Sequence, residues 1–264
     1  MSTDRTSWRK PAFIKNPTLR YGIYAALAIY VVVTLATLPI DWDRVSDGMR
    51  RAQRIFNGAF PPNFERSGLL IDGFLESLKI AILATVGGIA LSVPLAFMAA
   101  RNISDKPIYF LGRGIIIVAR SFHPVIVAII FVKAVGFGPF AGALTLVVYS
   151  IGFVAKLLAE RIEEIDFGQV EAMRSVGAGF LSTLVYAVMP QIMPRLVGLG
   201  IYQLDSNLRA SAVVGIVGAG GIGATLANAF GRYDYDFALA ITMVIVGVIL
   251  VSEAVSGFIR KRIA

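Results

Sequence analysis

Side chains that could perform covalent or metal-dependent chemistry are scarce in this sequence. It contains no cysteine and a single histidine, His123, which excludes disulfides, thiolate ligands and a histidine metal cluster. No lysine follows a glycine, so the chain lacks the Gly-Lys pair with which a P-loop holds the phosphates of ATP. An enzyme would need clustered nucleophile, base or metal ligands. We therefore expect no catalytic residue and no metal, and we interpret His123 as a packed core residue.

A glycine-rich segment carries the spacing Gly-x-Gly-x-x-Gly at residues 218–223. In a dinucleotide-binding fold this pattern follows a strand, opens a helix and precedes an acidic residue by about 20 positions. The acidic residues here lie at other distances and the surroundings are hydrophobic, so we reject that interpretation. Small residues instead allow close helix packing or line a constriction in a pore. The glycines concerned are Gly215, Gly218, Gly220, Gly221 and Gly223.

Arg209 lies just before this segment and has the chemistry to bind an oxyanion. A guanidinium stays charged and matches phosphate or phosphonate oxygens with two parallel hydrogen bonds. Asp205 lies four residues earlier, so a local helix ion pair is an equally good interpretation, and both stay open. Asn207 is a weaker candidate for polar contact. Arg120 either lines the inner part of a path or extends to lipid phosphates.

The elements that must position these residues are long apolar blocks. Hydrophobic residues make up 56% of the 264, above the roughly 45–50% of a soluble domain. They are gathered into runs near the ~20 residues that a membrane helix needs. The net charge of +8 fits basic cytoplasmic loops, and no nucleic-acid-binding module is visible. We predict an all-α, polytopic membrane helical bundle without a nucleic-acid partner.

Six blocks predict full spans, and a seventh, Ala210–Phe230, predicts a partial one. Basic residues near both ends place the N- and C-termini in the cytoplasm. A full crossing by Ala210–Phe230 would break that parity, and each of its glycines costs a helix ~1 kcal/mol, so we interpret it as re-entrant or broken. Such backbone must be buried in protein or line a cavity. The full spans are Tyr21–Ile40, Leu75–Ala100, Ile115–Val135, Phe140–Leu158, Leu184–Tyr202 and Phe237–Ile259.

The connection between the first two spans, residues 41–73, is polar and external. Val45, Met49 and Phe56 repeat at helical spacing opposite several arginines, which predicts a short amphipathic helix on the outer surface. We assign residues 1–73 to the cytoplasmic N-terminus, the first span and this connection. Residues 74–264 form the predicted transport domain, whose segment 159–183 is cytoplasmic.

Residues 171–177 of that cytoplasmic segment read Glu-Ala-Met-Arg-Ser-Val-Gly, and residues 187–190 read Ala-Val-Met-Pro. Small residues let a short helix lie in a groove of another protein, and Gly177 allows a sharp turn after it. The segment resembles the EAA motif of permeases of ATP-binding-cassette (ABC) importers, with Met173 replacing the second alanine. The resemblance implies that four residues couple the chain to an ATPase subunit: Glu171, Ala172, Arg174 and Gly177.

Three further stretches, residues 135–142, 156–166 and 207–223, are similar to phosphonate-type ABC permeases. The likeness runs from about residue 74 to the C-terminus. It implies the type I importer fold in a bacterial inner membrane. It also implies a second permease copy, two ATPase subunits that bind ATP and Mg, and an external substrate-binding protein. Asn207, Arg209 and the five glycines are implied to lie beside the translocation path near an outer gate.

We therefore predict a permease subunit that moves phosphonate, or a related oxyanion such as phosphite or phosphate, by alternating access. It is expected to bind no cofactor itself. The alternative is a secondary transporter or channel for an anion that is not driven by ATP. That alternative would need carboxylates within spans or an inverted repeat, but few acids lie in the apolar blocks and no repeat is visible.

Overall fold

The computed structural model describes residue 14 and residues 16–39 and 41–263, with side chains up to residue 259. Every regular element in these residues is helical, so the all-α prediction is confirmed. The basic residues before Asn16 lie outside the described residues, as do the side chains of the basic C-terminus. The α-helices are α1 Pro17–Thr37, α2 Trp42–Ala59, α3 Ser67–Met98, α4 Lys106–Ser121, α5 Pro124–Val135, α6 Pro139–Ser150, α7 Lys156–Glu163, α8 Phe167–Ser175, α9 Phe180–Thr183, α10 Met189–Val214, α11 Ile222–Gly231 and α12 Tyr235–Ile263.

Five stretches of the described chain are long and apolar enough to span a membrane, and α4 with α5 makes a sixth if that bent pair is one span. The pair bends by 91°, whereas the sequence predicted one straight span over Ile115–Val135. The bend follows from Pro124, which disfavours helical geometry at the preceding residue. His123 is exposed and accepts a hydrogen bond from the backbone of Val125, so its interpretation as a core residue is wrong.

The predicted break between Tyr202 and Ala210 is also absent, because α10 runs unbroken through these residues. The helix instead breaks further on, at Gly218–Gly221, and α11 follows. The break falls within Ala210–Phe230, as predicted, but the residues before it continue α10 instead of beginning a new segment. Two polar residues between the predicted blocks, Gln203 and Asn207, are buried and hydrogen-bonded.

Short π-helical turns interrupt the regular helices at Ile151–Ala155, Leu184–Val188 and Gly215–Ala219. A π turn is rare and is often found at a functional site. The first of them brings Gly152 against the backbone of Arg120 on α4, where an added Cβ would lie 3.1 Å from two backbone atoms. The π turn thus joins α6 to α7 and itself packs against α4.

The helix α3 lies at the centre of the domain and packs against α6 and α10. Small residues let these helices approach closely, as in other membrane proteins. Gly88 of α3 faces Ser150, and Gly142 of α6 faces the carbonyl of Ala219. This packing fixes the position of α10, which carries Asn207 and Arg209.

The contacts divide the chain into two units, Met1–Arg54 and Ile55–Ala264. In the first unit the span α1 has no buried residue. The second unit contains three buried apolar clusters, centred on Ile162, Ile80 and Ile241. The predicted boundary at residue 73 was drawn from hydropathy and stays a prediction.

Candidate functional site

The short helix α8 and the turn that follows it present all four predicted coupling residues to the surface. Glu171, Ala172, Arg174 and Gly177 are exposed, and only Val170 of α8 is buried. Apolar side chains extend the same surface beyond the helix, since Val176, Phe180 and Leu181 are 78%, 64% and 72% exposed. Isolated exposed apolar residues are ordinary, but a contiguous group marks an interaction site.

Gly177 ends α8 in the way that the sequence predicted. Its φ is +76°, a left-handed conformation that costs other residues roughly 1–2 kcal/mol. Its backbone N–H donates to the carbonyl of Arg174, and that of Ala178 donates to the carbonyl of Met173. This pair of bonds is a Schellman motif, so the chain reverses sharply at the end of α8.

The N-terminal end of α8 is bonded to α10 through Gln191. The side chain of Asp166 caps α8 by accepting from the backbone of Gly168 at 3.0 Å. The backbone N–H of Asp166 donates to Gln191 Oε1 at 2.9 Å, while Gln191 Nε2 donates to the Asp166 carbonyl at 3.2 Å. Two bonds from one amide hold the first turn of α8 against α10.

The end of α7, just before α8, is bonded to α4 through Glu163. Its Oε1 accepts from Arg113 Nη2 at 2.9 Å and from the backbone N–H of Arg101 at 2.8 Å. Arg113 Nε also donates to the carbonyl of Ala99 at 2.9 Å. We call Arg113, Glu163, Asp166 and Gln191 together the polar junction. None of its members was singled out from the sequence, because their partners lie 25 to 62 positions away.

The ring of Tyr109 lies against two arginines at this junction, Arg101 and Arg113. Its ring centroid lies 5.6 Å from the guanidinium of Arg101 and 5.4 Å from that of Arg113, within the range of cation–π attraction. The hydrogen bond from Arg101 to the Tyr109 hydroxyl raises the pKa of Arg101 above its usual value, with Glu163 adding to the effect. Arg101 therefore stays charged.

At the other end of the domain, the glycine turn comprises Gly218–Gly221 and the flanking glycines Gly215 and Gly223. Gly218, Gly220 and Gly221 have φ values of +95°, +80° and +75°. A Cβ on Gly223 would collide with the carbonyl of Ala212, and one on Gly215 would collide with that of Gly220. The turn therefore exists because these positions lack side chains.

Two hydrogen bonds attach the glycine turn to its neighbours. The backbone N–H of Gly138, in the loop between α5 and α6, donates to the carbonyl of Gly218 at 3.0 Å. Ser77 of α3 accepts from the backbone of Ile222 at 2.9 Å. The ring of Phe137 lies against Gly218 and is itself 82% exposed. The turn thus joins α10 and α11 to the α5–α6 loop.

Asn207 is fully buried within the chain instead of lying on a surface. Its Nδ2 donates to Thr85 Oγ1 at 2.9 Å and to Ser150 Oγ at 3.0 Å, and its Oδ1 accepts from Gln203 Nε2 at 3.0 Å. Gln203 Oε1 has no partner among the described residues. In this conformation Asn207 links α3, α6 and α10.

Arg209 is half-exposed and bonded to Asp205, with 2.9 Å between Nη2 and Oδ2. Asp205 is largely buried and also accepts from Ser252 Oγ on α12 at 2.7 Å. The ion pair expected from the spacing is therefore present, and part of the guanidinium still faces outward. Arg120 is exposed in the last turn of α4, next to the bend.

A cleft of about 840 Å³ opens between α7 and the first half of α10. Glu160, Arg161, Glu164 and Arg195 line it, together with the stacked rings of Phe153 and Tyr202, whose centroids lie 5.3 Å apart. Its four charges balance in sign. In the described part of the chain no group of three His, Cys, Asp or Glu residues could hold a metal ion.

Comparison with known proteins gives consistent results. Residues 92–264 match the binding-protein-dependent transport system inner membrane component family. The phosphate-import permease protein PhnE of Mycolicibacterium smegmatis is 40% identical over 252 residues, covering 95% of this chain and 47% of that protein. This chain therefore spans about half the length of that relative.

Another relative is similar over most of both sequences. The phosphite transport system permease protein PtxC of Stutzerimonas stutzeri is 37% identical over 224 residues, or 84% of this chain and 82% of that one. Among solved structures, the MetNI methionine ABC transporter in inward-facing conformations matches with a TM-score of 0.66 at 21% identity, covering 76% of this chain and 99% of the matched chain. That likeness concerns the fold.

Proposed function

The chain belongs to the family of inner-membrane components of binding-protein-dependent transport systems, and from this premise we propose that it is the permease of an ATP-driven importer for a phosphorus oxyanion. The resemblance predicted from the EAA-like segment is confirmed, and the fold is that of type I ABC importer permeases. The functions of two relatives, phosphate import and phosphite transport, support phosphite, phosphate or phosphonate as the cargo. The family match leaves the secondary-transporter alternative without support.

The observation that carries the proposal is α8, an exposed helix held by hydrogen bonds at its base and surrounded by exposed apolar side chains. We assign this surface to an ATPase subunit, which binds ATP and Mg in place of this chain. Movement of α8 is transmitted to α10 through Gln191 and to α4 through Glu163. Two copies of the permease, each with one ATPase subunit, form the transporter, and an external binding protein delivers the substrate.

The proposed path follows the surface of α10 that carries Arg209. A doubly negative oxyanion leaving water is stabilised by a guanidinium that can form two parallel hydrogen bonds. The glycine turn, which ends α10 and contacts the exposed Phe137, is the proposed outer gate. Asn207 supports the wall of the path from inside the chain, and Arg120 is the candidate for the inner path.

The proposed location is the bacterial inner membrane, with both termini in the cytoplasm. An even number of crossings puts both ends of the chain on one side, and six crossings result when α4 and α5 are counted as one span. Basic residues near both ends favour the cytoplasmic side.

Gly177→Val in the complete complex tests the coupling role of α8. A β-branched residue is strained at a φ of +76°, so the end of α8 should shift while the membrane helices stay folded. We expect uptake of phosphite or phosphate per ATP hydrolysed to fall about tenfold. The left-handed conformation costs such a residue about 1–2 kcal/mol, and an energy of that size changes a rate about tenfold. Gly177→Asn is the matched control, because asparagine tolerates the left-handed conformation.

Both variants are measured in proteoliposomes that contain the co-purified ATPase subunit and the binding protein. Unchanged uptake per ATP in Gly177→Val would count against coupling through α8. Full uptake activity of the permease without any ATPase subunit would refute the importer proposal itself.

A further inference from the structure

The helix α2 has one continuous apolar side whose large side chains are exposed. It has no buried residue, and Trp42, Met49 and Phe56 are each 67–71% exposed. The members of this apolar face share one side of the helix because they recur at intervals of three or four residues. They are Trp42, Val45, Met49, Ala52 and Phe56.

The opposite side of α2 carries the charges. Arg44 pairs with Asp41 at 3.0 Å and Arg50 with Asp47 at 3.2 Å. Arg51 and Arg54 form no ion pair with any residue that the structure describes. Two guanidinium groups on this face are thus available to anionic groups outside the chain.

Both ends of α2 are held close to ends of membrane spans. Four residues separate its first residue, Trp42, from the end of α1 at Thr37. At its other end, Asn63 lies four residues beyond Ala59 and is bonded to the first turn of α12. The backbone of Asn63 donates to the Asp236 carbonyl at 3.2 Å, and its Nδ2 donates to Asp236 Oδ2 at 3.2 Å.

These short tethers exclude an upright helix. Four extended residues reach only about 14 Å, whereas an 18-residue helix is about 27 Å long. A helix standing on the membrane would place one end about 27 Å from the surface, well beyond the reach of its tether. Both ends can stay near span ends only if α2 lies along the membrane surface.

We propose that α2 lies in the headgroup layer of the bilayer, with its apolar face towards the acyl chains and its arginines towards lipid phosphates. A helix with a strong apolar face, a charged opposite face and aromatic residues is suited to this position. A tryptophan at one end and a phenylalanine near the other suit the polar–apolar boundary. The partner of this surface is therefore lipid.

The absence of cysteine from the chain makes a direct test possible. Single substitutions Met49→Cys, on the apolar face, and Arg51→Cys, on the charged face, are labelled with an environment-sensitive fluorophore in the complete complex. The complex is reconstituted in vesicles of phosphatidylcholine and phosphatidylglycerol, with and without a bromine quencher on the acyl chains. Iodide serves as the quencher in water.

We expect brominated lipid to quench the label at position 49 at least about threefold more than the label at position 51, and iodide to show the reverse order, since opposite faces of such a helix meet different solvents. Phe56→Cys repeats the test on the same face if the label at position 49 disturbs folding. Strong iodide quenching at positions 49 and 56 would show an uncovered face. An apolar signal there that lipid bromine does not quench would show that a protein covers it. Either result overturns the proposal, and neither bears on the importer function.

Discussion

The polar junction and the glycine turn solve the same problem in opposite ways. Each holds the end of one element against another helix of the domain. The junction uses charged and amide side chains: Glu163 accepts two hydrogen bonds, and Gln191 forms two with the backbone of Asp166. The glycine turn uses the lack of side chains, since backbone atoms fill the space where a Cβ of Gly215 or Gly223 would lie.

This difference predicts how each region responds to change. A side-chain bond at a partly exposed site can be replaced in part by water or by a similar group, so its loss is graded. A backbone contact has no such substitute, because any added atom must displace the main chain. The junction is thus suited to a region that moves, and the turn to one whose shape must be kept.

The largest effect should come from Gly223→Ala. The added methyl group would overlap the carbonyl of Ala212, and overpacking of this kind costs about 1–3 kcal/mol or more. We expect a matching loss of stability, measured as thermal unfolding of the purified complex in detergent. Gly247→Ala in α12 is the control, because nothing lies within 4 Å of the added atom and alanine favours a helix.

A stability of Gly223→Ala equal to that of Gly247→Ala would break the comparison. It would mean that the glycine turn can shift as easily as a side chain, and that its shape does not depend on close backbone contact.

A smaller effect is expected from Glu163→Gln at the junction. The amide still accepts from the backbone of Arg101, but Arg113 loses its charged partner, and both side chains are only 22–30% exposed. We expect a loss of about 1 kcal/mol in the free energy of unfolding, together with reduced uptake per ATP. Glu164→Gln is the control, since Glu164 is 70% exposed and lies 3.6 Å from Arg161.

Equal behaviour of these two variants would show that Glu163 is an ordinary surface acid. A loss of stability without any change in uptake per ATP would limit its role to holding the fold, and the transmission of movement to α4 would then need another route.

Much of the helical framework and the position of α8 could be predicted from the sequence, because both depend on local patterns. Apolar runs set most of the spans, and Gly177 marked the end of α8 by a conformation that few other residues adopt. The continuation of α10 through Gln203 and Asn207 could not be predicted in this way. These polar residues suggest a loop until their partners, Thr85 and Ser150, are known.

The same limit applies to the functional residues. The glycine spacing identified the glycine turn, but it did not reveal that Phe137 and Ser77 contact it. Glu163 lies in a run of charges that looks like an ordinary polar connection. Its importance depends on Arg113, 50 positions earlier, and a single sequence carries no signal for such a pair.

The smallest change in stability is expected from Arg209→Ala, on the surface of α10 between the two regions. Asp205 is largely buried, but the Arg209 guanidinium is half-exposed and screened by solvent, so an ion pair at this spacing contributes only about 0.5 kcal/mol, and Asp205 keeps its bond to Ser252. If Arg209 also contacts the substrate, uptake of phosphite or phosphate should still fall about tenfold, as expected for a lost charge-assisted hydrogen bond of roughly 1.5 kcal/mol.

Asp205→Asn separates the two roles of Arg209, because it removes the ion pair and keeps the guanidinium. Loss of uptake in Arg209→Ala with near-normal uptake in Asp205→Asn would assign Arg209 to the path. Equal loss in both variants would assign it to the helix ion pair, and the path would then follow another surface. Arg209→Lys sharpens the result, since lysine keeps the charge but cannot form two parallel bonds to one oxyanion.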